Sequence, residues 1–314
     1  MTHAQPRRDR SALGIAVSVV LAIIVAVGSF MLYRPHRSGA SLASDAASSP
    51  GDPAGQAQPT GPVPPGRRHA DPLGGQAAPF LAARDGTVMA AVYDLNTRQT
   101  WTIGHGPPQA EASVVKLDIL ATLLAQRGRA GRGLSGHEQS LAKLMIEQSD
   151  DNAATDLWKA AGGPSGIRSF NTTAGLTHTA PSSCVVCTGF PLPGWGLTTT
   201  TPADQISLLR QIVQQGPLLS NAQRSYALRL LEDVSADQRW GISSGVSPKA
   251  TIALKDGWLP LDGARTDWQI NSVGWISGLG RNYLIAVLST GNPTEQYGID
   301  TISSLSSMVW KNMG

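Results

Sequence analysis

The chain has 314 residues, 25 Lys/Arg against 22 Asp/Glu, and 5% aromatics, room for one sizeable domain with extensions. Residues 1–79 hold seven basic and four acidic residues, and the remaining 18 and 18 cancel over 80–314, so the formal +3 belongs to the N-terminal segment. A nucleic-acid binder needs a basic face on the folded domain, and no basic run with interleaved aromatics occurs there, which argues against a nucleic-acid partner.

Ser11 to Tyr33 is 23 residues without a charge; at about 1.5 Å per residue it extends roughly 35 Å, enough for a bilayer core. Arg7, Arg8 and Arg10 precede it and Arg34 and Arg37 follow. The positive-inside rule puts a tail, 1–10, in the cytoplasm, a transmembrane anchor at 11–33 and the bulk outside the cell. The rival is a cleaved signal peptide, whose apolar region is shorter and soon followed by a small-residue cleavage site. Here Arg34-Pro35-His36-Arg37 intervenes before Ser41-Leu42-Ala43, which favours a retained single-pass anchor in the cell membrane. Residues 34–79 are rich in Ser, Ala, Gly and Pro and read as a disordered linker, spanning on the order of 40 Å as a flexible coil.

The folded domain is expected over 80–314. Thr87 to Asp94 reads as a buried strand, Asn96–Gln99 as a turn and Thr100–Ile103 as the return strand. An apolar helix follows Ser113 and ends near Gly128. Helices are expected over Gly136–Gln148 and Asn152–Ala161, the latter stopped by Gly162-Gly163-Pro164. Residues 171–202 look irregular. Helices over Ala203–Gln214 and Asn221–Val234 precede strands at Ala250–Leu254, Trp268–Ile276 and Tyr283–Ser289, and a last helix covers Thr294–Lys311. A hairpin first, helices in the middle, then strands and a helix fit an α/β (α+β) sandwich in which the hairpin joins the C-terminal sheet.

Ser113 and Lys116 stand three apart at the front of an apolar run, so they share a helix face. The helix start also offers unpaired N–H groups and partial positive charge. That combination can deprotonate a hydroxyl and hold the oxyanion that results. Ser-x-x-Lys alone is a weak signal: Ser140-Leu141-Ala142-Lys143 repeats it, and the ordinary reading of one copy is an N-cap serine with a solvated lysine. Ser113 gains weight from Ser149-Asp150-Asp151 between two helices and from Lys255-Asp256-Gly257 at the end of a strand.

In that order the three sites resemble the penicillin-recognising serine enzymes, specifically class A β-lactamase-like proteins, whose elements are Ser-x-x-Lys, Ser-Asp-Asn and Lys-Thr-Gly. The stretch from Ser149 to Trp158 followed by Gly162-Gly163-Pro164, and Thr199-Thr200-Thr201-Pro202-Ala203, add to the similarity, which covers about 80–314. The resemblance implies an antiparallel sheet with a helical subdomain and four catalytic residues. Ser113 would be the nucleophile, Lys116 its base or part of the relay, and Ser149 the donor to the leaving nitrogen. Lys255 would place positive charge near that relay. The amides of Ser113 and Trp258 would form the oxyanion hole, with Gly257 on a strand lying close against the substrate backbone.

The departures matter. Asp151 and Asp256 stand where the family carries Asn and Thr, putting carboxylates where it contacts a substrate amide or carboxylate. Two like charges about 4 Å apart at an effective dielectric near 20 repel by about 4 kcal/mol. The pocket is therefore expected to disfavour anionic ligands unless Asp256 points away. No glutamate occurs from Asn152 to Leu231, whereas class A β-lactamases use an omega-loop Glu to clear the acyl-enzyme. The interval from Ser113 to Ser149 is also shorter than in those enzymes.

The only cysteines, Cys184 and Cys187, form a possible disulfide outside the cell. Zinc needs further ligands; His178 is near, but no fourth is evident. Gly241-Ile242-Ser243-Ser244-Gly245 matches a nucleophile-elbow pattern, but no histidine follows His178, so it reads as a turn.

The expectation is thus an extracytoplasmic, membrane-anchored serine hydrolase needing no cofactor or metal. It would cleave an amide through an acyl-enzyme, on a β-lactam or a D-Ala-D-Ala-type peptidoglycan peptide, and be a poor classical β-lactamase. The alternative is a catalytically impaired domain of the same fold that binds at the cell wall.

Overall fold

The computed structural model describes residues 70–184 and 194–314. The expected tail, the 11–33 anchor, the linker up to residue 69 and Cys187 lie outside the described residues.

The domain begins earlier than expected. Leu73 and Ala77 are buried, helix α1 (Ala77–Ala82) has formed, and Asn312 donates a side-chain bond to the Pro72 carbonyl. The linker reading therefore ends too late: the Pro/Gly-rich composition hides the two apolar side chains that pin this stretch.

Strands β1 (Thr87–Asp94), β2 (Thr100–Ile103), β5 (Thr251–Pro260), β6 (Trp268–Gly278) and β7 (Arg281–Asn292) form one antiparallel sheet in the order β2-β1-β7-β6-β5. The first hairpin pairs with the last strand, Ala90 opposite Val287. β1 lies inside the sheet and is buried at seven of eight positions, whereas the edge strand β2 alternates exposed and half-buried residues. β6 and β7 are joined through Leu279 and Gly280, both at positive φ (52° and 82°), the geometry that suits the twist of a two-residue hairpin. Short strands β3 (Gln109–Ala110) and β4 (Thr199–Thr200) pair separately, so the expected irregular stretch 171–202 is partly ordered.

Helix α2 (Val115–Arg129) is sealed from Val115 to Ala125. It packs against α3 (Gly136–Glu147), α4 (Asp151–Ala160), α5 (Gly163–Ala174), α6 (Pro202–Val213) and α7 (Asn221–Glu232). Only a helix inside a domain is apolar on nearly every side. α5 is absent from the sequence reading: Gly162 does end α4, but Gly163 and Pro164 open the next helix, where a missing N–H costs nothing. α8 (Glu295–Asn312) packs on β6 and β7, with Gly298 against Ile270.

On the other face of β6, the Asn271 amide donates to the carbonyls of Ala110 (2.9 Å) and Glu111 (2.8 Å). These bonds tie the turn ahead of α2 to the sheet. Asn271→Ala leaves two carbonyls without their donor, at about 1–3 kcal/mol each. Urea melts are expected to show a loss of at least about 2 kcal/mol; a loss within about 0.5 kcal/mol contradicts this anchoring.

Candidate active site

Ser113 lies in a single tight turn, Ala112–Val114, that runs straight into α2. Its hydroxyl does not cap the helix. Lys116, one turn on, is completely buried, and its Nζ lies 2.9 Å from Ser113 Oγ. The ordinary reading of this pair, a cap and a solvated amine, is thereby excluded. The second copy is only half described by it: Lys143 is 64% exposed, but Ser140 lies inside α3 and its Oγ donates to the Gly136 carbonyl one turn back.

Ser149 joins α3 to α4 in a left-handed conformation, φ 54°, which costs a non-glycine residue about 1–2 kcal/mol. Such outliers persist where surroundings over-determine them, and here the surroundings are two lysines. Lys116 Nζ meets both Ser149 O (2.6 Å) and Ser149 Oγ (2.9 Å), and Lys255 Nζ meets the same Oγ at 3.0 Å. Asp150, not Ser149, caps α4, accepting from the Ala153 amide.

Lys255 is expected at a strand end, yet β5 continues five residues past it to Pro260. It lies on an edge strand but is fully buried, its amine also bonded to the Asp256 carbonyl at 3.0 Å. Two residues on, and so on the same face, Gly257 abuts the turn that carries Ser113. A Cβ there would fall 2.8 Å from the amide nitrogens of Ser113 and Val114, so only glycine permits this approach. Trp258 follows, its ring edge-to-face with Trp240 at 6.0 Å.

The two expected carboxylates part company. Asp151 reaches the site, its Oδ1 2.7 Å from Lys116 Nζ and its side chain 47% exposed. Asp256 does not: strand alternation turns it to the opposite face. There its buried carboxylate accepts from Ser272 Oγ (2.5 Å) and the Trp240 amide (3.2 Å). The expected double-carboxylate repulsion of anionic ligands thus reduces to Asp151 alone. Cys184 is not a free thiol. His178 is exposed at its ring and bonded through its backbone to Asp204, and no metal-holding group occurs among the described residues. Gly241–Ser243 is a turn, Ser243 Oγ donating to the Arg239 carbonyl.

Trp195 is part of the site and went unseen in the sequence: its ring centroid lies 5.1 Å from Lys116 Nζ, and its indole N–H donates to Thr155 on α4. Behind the Ser113 turn, Glu111 is sealed with neither carboxylate oxygen hydrogen-bonded. Burial, then the charges of Asp118 and Asp204, raises its pKa well above the usual range.

Lys116 Nζ lies within hydrogen-bond distance of four oxygens, Ser113 Oγ, Ser149 O, Ser149 Oγ and Asp151 Oδ1. In its neutral form the amine can offer its lone pair to the Ser113 hydroxyl proton. Burial lowers the Lys116 pKa, opposed by Asp151 and then Asp150. Burial, then the charge of Lys116, pushes Lys255 down to about 7. The arrangement can thus take a proton from Ser113 and pass one through Ser149.

A profile of the Beta-lactamase enzyme family matches residues 133–313, more than half of the chain. The chain belongs to that family. The matched stretch contains Ser149 and Lys255 but begins after Ser113 and Lys116. A Mycobacterium tuberculosis protein named as a candidate lipoprotein, LppW, is 29% identical over 221 residues, which cover 68% of this chain and 66% of LppW. An ancestral class A beta-lactamase superposes with a TM-score of 0.62 at 22% identity, covering 75% of this chain and 98% of that one. For a class A beta-lactamase representative from Bacteroides cellulosilyticus the TM-score is 0.64 at 17% identity, over 76% and 95%. PBP-A gives 0.64 at 18%, over 75% and 93%. These likenesses establish the β-lactamase fold expected from the three motifs.

The buried amine of Lys255 generates a stability prediction. Its pKa is about 7 in the folded chain and 10.5 when free. Between those values only the unfolded state holds the proton, so this residue's destabilising effect fades as pH rises. Lys255→Met is expected to stabilise the domain most at or below about pH 7, with the advantage shrinking toward pH 10.5. Denaturant melts across that range check it; an advantage independent of pH contradicts the burial of the charge.

Proposed function

We propose that this β-lactamase-family domain is a serine hydrolase that opens an amide through an acyl-enzyme on Ser113, held outside the cell at a membrane. The observation that carries the reading is the double hold on Ser149 Oγ by Lys116 and Lys255, with Lys116 also on Ser113 Oγ. Lys116 takes the Ser113 proton as Oγ attacks the carbonyl. Ser149 hands a proton to the departing nitrogen and is resupplied from Lys116, leaving the acyl group on Ser113 and the amine free. The amides of Ser113 and Trp258 are assigned to the oxyanion, a donor pair of which each member is typically worth about 3 kcal/mol.

The substrate class is a β-lactam or a D-Ala-D-Ala-type peptide, from the resemblance of the three motifs. Tethering is supported by the apolar stretch 11–33 and by the lipoprotein name of LppW. Among the described residues no helix is long and apolar enough to cross a membrane. A second reading, a binding domain with impaired turnover, is favoured by Asp151, whose carboxylate pairs with Lys116 and opposes the lowering of its pKa by burial.

Incubation with a fluorescent penicillin and with a fluorophosphonate, followed by peptide mass spectrometry, separates the two. The hydrolase reading expects an adduct on Ser113, and no covalent labelling of the active site in Ser113→Ala. An intact protein in which neither probe labels Ser113 sinks that reading and leaves the binding domain.

A further inference from the structure

An acyl-enzyme on Ser113 is a hydrolase only if water clears it, and water needs a base. Most carboxylates near the nucleophile are unavailable. Glu111, Asp118 and Asp256 are sealed from solvent and Asp204 nearly so. Asp150 is committed to the α4 cap, and Asp156 sits farther along α4, paired with Lys159. Asp151 differs from all of these. Its Oδ1 lies 2.7 Å from Lys116 Nζ, which is 2.9 Å from Ser113 Oγ, and its side chain is 47% exposed. One oxygen is thus tied to the amine, and the exposed remainder of the carboxylate borders solvent within one amine's width of the nucleophile.

We propose that Asp151 is the catalytic base of deacylation, resting on the reading of Ser113 as the acylated residue. Asp151 takes a proton from a water molecule, and the water oxygen bonds to the acyl carbon. The proton held by Asp151 crosses the 2.7 Å contact to the neutral amine of Lys116. The tetrahedral species then collapses with rupture of the carbon–Oγ bond, and Ser113 Oγ takes that proton from Lys116 Nζ across the 2.9 Å contact. The acyl ester and one water become a carboxylic acid and a free Ser113, with both side chains restored.

The same carboxylate has an opposite effect on the first half-reaction, since it favours the charged form of Lys116. One substitution therefore separates the two roles. Asp151→Asn is expected to acylate at least as fast as the wild type and to release its acyl group about 100-fold more slowly, the usual lower bound for a lost general base. Asp151→Glu is expected to keep measurable release, and Asp156→Asn, altered outside the site, to match the wild type.

The experiment follows the Ser113 adduct of a fluorescent penicillin by intact-mass spectrometry after excess probe is removed, on the full chain. Persistence of the adduct in Asp151→Asn with prompt loss in Asp156→Asn supports the proposal. Equal adduct lifetimes in the wild type and Asp151→Asn overturn it while leaving Ser113 as the nucleophile. Should Asp151→Asn fail to fold, the lifetime in Asp151→Glu decides: loss slowed tenfold or less supports the assignment, and an adduct as long-lived as that of a denatured acyl-enzyme overturns it. Absence of any adduct on the wild type overturns the serine-hydrolase reading and this inference with it.

Discussion

Two amines sealed from water share one hydroxyl, and the rest of the domain is arranged around that fact. Burying an ammonium costs on the order of several kcal/mol even after relaxation. A fold that buries both Lys116 and Lys255 favours neutral nitrogen at this site. Neutral nitrogen is what a serine hydroxyl needs as a proton acceptor. The local features serve the contact: Ser149 sits at φ 54°, Asp150 caps the helix behind it, and Gly257 lets β5 touch the amide of Ser113. Asn271 fixes the same turn from β6. The three segments are remote in the chain, so the contact cannot exist without the tertiary fold.

Asp151 sets the balance. It raises the pKa that burial lowers, so Lys116 lies between two pulls. An asparagine at this place carries no charge and would leave the amine more basic in function, because more of it would be neutral. The carboxylate opposes the neutral form of Lys116 and gives the site an acceptor of its own one amine away from Ser113. Whether the domain turns over or traps its ligand depends on which effect is larger.

Much of this was legible before any coordinates. The three motifs fixed the candidate residues, and all four catalytic candidates converge on Ser149 Oγ or its immediate neighbour. Strand and helix periodicity located β1, β2, α2 and α8 to within a few residues. The failures have physical causes. Gly162-Gly163-Pro164 both stops one helix and starts another, and a breaker reading sees only the stop. β5 was cut short because Lys255, Asp256 and Gly257 are poor strand formers, yet cross-strand pairing with Val273, Ser272 and Asn271 carries the strand through them. Asp256 was assigned to the pocket because spacing alone gives no face; Ser272 across the strand holds it on the other side. Trp195 and Asn271 gave no signal, since their roles depend on contacts with Lys116 and Glu111 across large sequence separations.

The central claim is that the fold buries these two lysines and thereby shifts them toward the neutral form. Its most direct test is an NMR titration of the 13Cε resonances of Lys116 and Lys255 in the intact domain, assigned through lysine-to-arginine variants. Both are expected to titrate below the ordinary lysine value of 10.5, Lys255 near pH 7. Two resonances that titrate together with the surface lysines would contradict the account.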